Sequence, residues 1–354
     1  MALQEINIQN LRNIEETSLA FSPGLNLIVG PNASGKTSLL EAISLVCQGR
    51  SFRTPRLDQM VKHQQQGLLV FARLLLGNQH YNIGLSRQAR KTQVKINGEK
   101  IKSSTELAGM VAVFVLTPES HELLDSGPKM RRQYLDWGVF HVEHHYLDVW
   151  QKYHRILRQR NICLRRKLSR QEITAWNAPL VREAEALHHY RTKYLSELDP
   201  MLSRYGEQLI GVTPSFAYQA GWETTVATLA EQLESNIETD MERGFTRLGP
   251  HRADIRIKID GKPVQSVFSR GQQKLLICAM TLAQLQRLKQ DCILLVDDLP
   301  AELDPQKRAV LLAALQETGA QVMVTATEAN LIDLSNWQDC KMFHVEHGSF
   351  QEVV

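Results

Sequence analysis

Residues 30–37 read Gly-Pro-Asn-Ala-Ser-Gly-Lys-Thr, which fits the phosphate-loop pattern G-x-x-x-x-G-K-[ST] at every fixed position. Before them, Leu25 to Val29 is a short apolar run suited to a buried strand. After them, Leu39, Leu40, Ala42, Ile43 and Val46 recur at helical spacing on one face. The order strand, loop, helix N-terminus directs backbone N–H groups and partial positive charge at a phosphate. Gly30 and Gly35 permit the tight turn, with Pro31, Asn32, Ala33 and Ser34 between them and Ser38 just inside the helix. In this pattern Lys36 reaches the β and γ phosphates, and Thr37 offers its hydroxyl to Mg2+. The plainer alternative is a glycine-rich turn capping an ordinary helix; the strand-loop-helix context speaks against it.

A phosphate loop needs a metal-holding carboxylate at the end of a neighbouring strand. Ile293-Leu294-Leu295-Val296-Asp297-Asp298 supplies a Walker B pattern. Asp297 is expected to hold magnesium, directly or through water, and Asp298 to orient or deprotonate the attacking water. Between these motifs, Ser269-Arg270-Gly271-Gln272-Gln273 opens a helix and forms a second anion-binding helix end. One nucleotide rarely needs two such ends from one subunit. Ser269 to Gln272 resembles the signature motif of ABC-type ATPases, and Glu302-Leu303-Asp304 resembles their D-loop, with Asp304 as its aspartate. In that superfamily the signature of one subunit closes on ATP held by another. The resemblance therefore implies ATP and Mg2+ as cofactors and a homodimer formed on ATP. A simple helix cap is the plain alternative for Ser269.

The chain has 354 residues, with 43% hydrophobic and 22% charged, ordinary values for two or three globular units. No apolar run approaches the roughly 20 residues that span a bilayer, and the start lacks the order of a signal peptide, so a cytoplasmic protein is expected. Its five cysteines show no C-x-x-C pair, against a zinc site or disulfide framework. The pentapeptide Phe-His-Val-Glu-His occurs twice, at 140–144 and 343–347, and is read as coincidence.

Alternating strands at Leu68 to Leu76, His80 to Ser86 and Gln93 to Ile96 suggest an antiparallel layer. Strands alternating with helices near the C-terminus suggest a parallel sheet. The fold class expected is α/β, an ABC-type P-loop ATPase head made of residues 1–118 and 247–354. A helical insertion, 119–246, interrupts it. That insertion promises two long helices packed as a hairpin, one of them basic and the other running from Leu180 to Leu202, with Pro200 and Pro214 marking the return. Between Gln151 and Arg170 lie Lys152, Arg155, Arg158, Arg160, Arg165, Arg166, Lys167 and Arg170 without an acid. A solvated helix face is the bland reading and phosphate contact the sharper one, with Arg158, Arg165 and Arg166 as DNA-binding candidates.

Within the superfamily the chain is most similar to the RecF family of bacterial recombination mediators. Leu11-Arg12-Asn13, Gly49-Arg50-Ser51-Phe52-Arg53, Thr117-Pro118-Glu119, Arg131-Arg132 with Leu135-Asp136-Trp137, Gly249-Pro250-His251-Arg252 and the Asp297-Asp298 pair carry the match. The resemblance implies slow ATP hydrolysis, binding to double-stranded DNA and to single-strand/double-strand junctions and gaps, and cooperation with RecR and RecO in loading the recombinase. One departure from the wider superfamily matters: Thr325, Ala326 and Thr327 stand where transporters carry a switch histidine. Two alternatives stay open, a transporter ATPase subunit and a DNA clamp that binds ATP without turnover.

Overall fold

The computed structural model describes residues 3–89, 91–101, 103–288, 291–298 and 303–353; Glu302 of the expected D-loop lies outside them. The chain divides into two compact units, Met1–Ser120 with Leu285–Val354, and His121–Gln284. The sequence boundaries at 118 and 246 are drawn where the long helical stretches begin and end. The compact second unit also takes in 247–284.

The first unit contains two six-stranded sheets. One is antiparallel, in the order β2 (Ile14–Ala20), β1 (Leu3–Leu11), β4 (Gly67–Leu76), β5 (Gln79–Gln88), β6 (Lys91–Ile96), β7 (Glu99–Lys100). In β4, buried Leu68, Val70, Ala72 and Leu74 alternate with more exposed neighbours, so one face of the sheet meets the core. The other sheet runs β15 (Ser349–Val353), β14 (Cys340–Glu346), β3 (Leu25–Val29), β13 (Gln321–Ala326), β12 (Cys292–Val296), β8 (Ala112–Leu116). It is parallel except for the edge strand β15. Every residue of β3, β12 and β13 is buried, as parallel strands covered on both faces require. The expected α/β class with an antiparallel layer is what the molecule has.

Helix α1 (Lys36–Gln48) packs against strands of both sheets, and every residue of it except Thr37 is buried. The apolar residues Leu39, Leu40, Ala42, Ile43 and Val46 are buried, and the burial extends beyond them. The helix lies between two layers, so Glu41, Ser44 and Gln48 also point into protein. Two further helices, α2 (Ser104–Met110) and α12 (Pro305–Glu317), belong to this unit.

In the second unit the helices are α3 (Glu122–Asp125), α4 (Pro128–Val142), α5 (Tyr146–Arg165), α6 (Arg170–Thr174), α7 (Asn177–Ile210), α8 (Leu229–Ser235), α9 (Ile237–Arg243) and α10 (Val264–Val267). The last, α11 (Arg270–Arg287), begins in this unit. A small antiparallel sheet, β11 (Lys262–Pro263), β10 (Asp254–Ile259) and β9 (Ser215–Gln219), lies among them. The sequence reading missed β9. Helices α5 and α7 pack together as the expected hairpin. However, α7 runs through Pro200 to Ile210 instead of ending near it. Buried Leu198, Leu202, Tyr205 and Leu209 carry the apolar stripe across the proline. Packing along that stripe outweighs a penalty of about 3 kcal/mol.

The basic run on α5 also needs correction. Arg160 is completely buried, and its guanidinium donates to Asp240 at 2.8 Å, Thr246 at 2.7 Å and Asn177 at 3.0 Å. Arg170 pairs with Glu234 and Glu238, and Lys152 with Asp148. Arg160 is thus a core residue. Asp240→Ala should cost about 3–5 kcal/mol in denaturant unfolding, because it strands a buried charge, whereas the double change Arg160→Met with Asp240→Leu should recover most of that loss.

Candidate nucleotide-binding site

At the end of β3 the chain turns through residues 30–35 into α1. A Cβ on Gly30 would stand 2.2 Å from the Val345 carbonyl oxygen on β14, and Gly35 adopts φ 125°. Neither position accommodates a larger residue without distortion. The loop is held from three sides. Asn13 Nδ2 donates to the Ser34 carbonyl at 2.9 Å, and its Oδ1 accepts from Ser38 Oγ at 2.9 Å. Gly348 N donates to the same Ser34 carbonyl at 2.7 Å, and Gly30 N donates to Ala326 O at 3.2 Å.

Lys36 is 6% exposed, and its Nζ donates to the carbonyls of Gly30 at 2.7 Å and Pro31 at 3.0 Å. Burial holds the ammonium below its ordinary pKa, while Asp298 and Asp297 pull the other way. Ser34 Oγ is buried and has no partner among the described residues.

Asp297 follows β12, its backbone N donating to Leu116 O at 2.8 Å. Thr37 Oγ1 lies 2.9 Å from both of its carboxylate oxygens, and Thr325 Oγ1 donates to Oδ1 at 2.9 Å. Burial pushes the Asp297 carboxyl above its usual pKa, and the hydrogen bonds from Thr325 and Thr37 oppose that rise. Asp298 sits at φ 50°, a left-handed conformation that aspartate tolerates better than most residues. Its N donates to Thr325 Oγ1 at 2.8 Å, and its buried Oδ1 has no partner among the described residues. Thr325 therefore fixes both acids, a role the sequence reading did not give it.

The donor set fits the expected ligands. A threonine hydroxyl and a carboxylate meet as hard oxygen donors of the kind Mg2+ takes. The Ser34 hydroxyl, the Lys36 ammonium and the N-terminus of α1 suit phosphate oxygens.

Behind this layer, Glu41 on α1 has a fully buried side chain. Arg12 donates to both of its oxygens at 3.0 Å, Ser51 Oγ donates at 2.6 Å, and Arg53 lies 3.7 Å away. Gln48 Nε2 donates to Val113 O at 2.7 Å, and Ser44 Oγ to Arg50 O at 3.1 Å. The two sequence stretches around Arg12 and Ser51 thus converge on one carboxylate. Glu41 itself was missed; its only signal is an acid set in an otherwise apolar helix.

Gly30 to Ser38, Asp297 and Asp298 come together in the first unit. Asp304 caps α12, its Oδ1 accepting from Lys307 N at 2.9 Å. In the second unit Ser269 and Gln272 cap the start of α11 reciprocally. Ser269 N donates to Gln272 Oε1 at 2.9 Å, and Gln272 N to Ser269 Oγ at 3.3 Å. Arg270 pairs with Asp125, and Gly271 faces open space. Arg158, Arg165 and Arg166 are exposed on α5 and at its C-terminal end.

Residues 2–351 match the family model described as the RecF/RecN/SMC N terminal domain. The DNA replication and repair protein RecF of Hydrogenovibrio crunogenus is 40% identical over 355 residues, covering 98% of both chains. The chain belongs to the RecF family. A solved structure of the recombination mediator protein RecF with ATP, in the RecFOR pathway, superposes with a TM-score of 0.87 at 27% identity, covering 100% of this chain and 98% of that one. An Smc head bound to the C-winged helix domain of ScpA has a TM-score of 0.65 at 14% identity, covering 100% of this chain and 97% of that one, a likeness of fold. Among the described residues of this RecF-family chain, no helix is long and apolar enough to cross a membrane.

The raised carboxyl of Asp297 has a measurable consequence. Its folded pKa lies above its unfolded one, so stability is lost as pH rises through the folded value, and the ionised group is a net cost at neutral pH. Asp297→Asn should stabilise the nucleotide-free protein by roughly 0.5–2 kcal/mol at pH 7.5. The gain should fade as pH falls below the folded value and vanish below about 3, where the wild-type carboxyl is protonated in both states. Urea unfolding across a pH series checks both.

Proposed function

We propose that this chain is an ATP-binding DNA-repair protein that dimerises on ATP at gapped or junction DNA, hydrolyses ATP slowly, and helps mediator proteins load the recombinase. The carrying observation is the meeting of Thr37, Asp297 and Thr325 beside the loop of Lys36. Lys36 and the loop N–H groups hold the β and γ phosphates of ATP. Mg2+, held by Thr37 and Asp297, supplies charge neutralisation on the transferred phosphoryl group when bound. Asp298 offers its carboxylate, whose Oδ1 has no partner among the described residues, to the attacking water, orienting it or accepting its proton. An aspartate here is shorter than the glutamate of transporters, and threonine stands where they place histidine. Both features support a turnover well under the roughly 10 per second median of enzymes.

Ser269 to Gln272 of a second copy complete the site. Gly271, open on its Cβ side, leaves room for close backbone approach to a phosphate. Asp304 would serve the same interface. DNA as partner is supported by the repair function named for the relatives, and RecR and RecO by the pathway named for the solved neighbour. A cytoplasmic location follows from that role.

Phosphate release by wild type and Lys36→Ala, with and without gapped DNA, tests the reading. DNA should stimulate the wild type, and Lys36→Ala should lose on the order of 10²-fold or more. Mixing Lys36→Ala with Ser269→Ala subunits should restore activity, since a mixed dimer keeps one intact composite site. Mixtures as inactive as either parent would argue against sites shared between copies.

A further inference from the structure

One face of α5 lines a shallow cleft of about 210 Å³ with His154, Leu157, Arg158, Asn161 and Arg165. Asn161 Oδ1 accepts from both N and Oγ1 of Thr246 at 2.8 Å, which fixes the loop after α9 beside this face. In that loop Gly244 lies against the Arg165 side chain, and Phe245 is 37% exposed. The Arg252 guanidinium sits over the Phe245 ring, 5.3 Å from its centre.

Burial lowers the pKa of His154, and Arg191, Arg158 and Arg132 lower it further against the opposing pull of Asp136. Burial pushes His251 down to about 4, with Arg252, His154 and Arg132 acting in the same direction. The neighbouring carboxylates Asp136, Asp254 and Asp240 are already committed, Asp240 to Arg160 at 2.8 Å and to the Arg247 backbone N at 3.1 Å. Asp136 accepts from Arg191 at 2.7 and 3.0 Å, from Tyr146 and from Trp150. Asp254 accepts from Arg131 at 2.8 and 3.2 Å. Among the described residues Arg158, Arg165 and Arg252 have no ion-pair partner, and exposed Arg155, Arg166, Lys167, Arg243 and Arg247 extend the surface.

Arg158 and Arg165 stand two helical turns apart, about 10 Å, and the basic positions 155–165 span about 15 Å of α5. A small anion meets one or two such groups; a chain carrying charge at regular intervals meets them all. We propose that Arg158 and Arg165 of α5, with Arg252 and Phe245 of the adjoining loop, seat the phosphodiester backbone of double-stranded DNA without reading its sequence. The inference rests on the DNA-binding reading above and gives it a place and a mode.

The test measures binding of fluorescent duplexes of two unrelated sequences to the full chain with ATP, over a salt series. Arg158→Gln with Arg165→Gln and Arg252→Gln should weaken both duplexes equally, at least tenfold at 0.15 M salt. It should also reduce the slope of log affinity against log salt by about 0.9 per arginine. Arg158→Gln alone should reduce the slope by about one and guards against misfolding of the triple variant, as does ATP binding by each protein. Arg182→Gln, an exposed arginine of α7, should leave the slope unchanged. If the wild type binds and the triple variant matches it in affinity and slope, the placement is overturned while DNA binding stands. If the wild type binds neither duplex at any salt, the DNA reading falls and the placement with it. If the triple variant keeps DNA but loses an acidic protein partner, the surface belongs to that partner and the proposal is overturned.

Discussion

Helix α1 is enclosed by two sheets, and its Glu41 carboxylate has no route to water. An unpaired buried carboxylate costs several kcal/mol, so the fold must bring a cation to it. Arg12 answers with two parallel hydrogen bonds, from a backbone held at φ 53° where β1 turns into β2. That turn also delivers Asn13 to the Ser34 carbonyl and the Ser38 hydroxyl. One charge requirement in the middle of the helix therefore sets the position of the phosphate loop at its end. Thr37, in the first turn, then meets Asp297 across 260 residues of sequence.

The parts of the site legible in the sequence are those where local chemistry allows few alternatives. A phosphate loop needs its glycines and lysine whatever surrounds it, and a strand buried on both faces shows itself as an unbroken apolar run, as in Leu25 to Val29 and Cys292 to Val296. Periodicity, however, reports only apolar faces. It picks out the apolar side of α1 and says nothing of Glu41, Ser44 and Gln48, whose burial depends on partners outside the helix. Arg160 was misread for the same reason: its counter-charge, Asp240, is 80 residues downstream. Thr325 was noted for the histidine it replaces, while its hydroxyl bridges two acids.

The repeated pentapeptide shows how little five residues decide by themselves. Phe140 to Val142 end helix α4, whereas Phe343 to Glu346 lie in strand β14. Phe343 is completely buried in the core, pairing edge-on with Phe21, and Phe140 is only partly covered. Neighbours selected helix in one place and strand in the other, since the packing available to a side chain outweighs its intrinsic preference.

Lys36 is already satisfied by two carbonyls of its own loop. Whatever takes those carbonyls' place must offer the ammonium a stronger partner, so ligand capture here is an exchange reaction. The observable affinity is a difference between two sets of contacts and understates the strength of either. Such a site rejects weak acceptors on energetic grounds alone and holds its lysine in register between encounters, so little side-chain entropy remains to be lost when a highly charged ligand arrives.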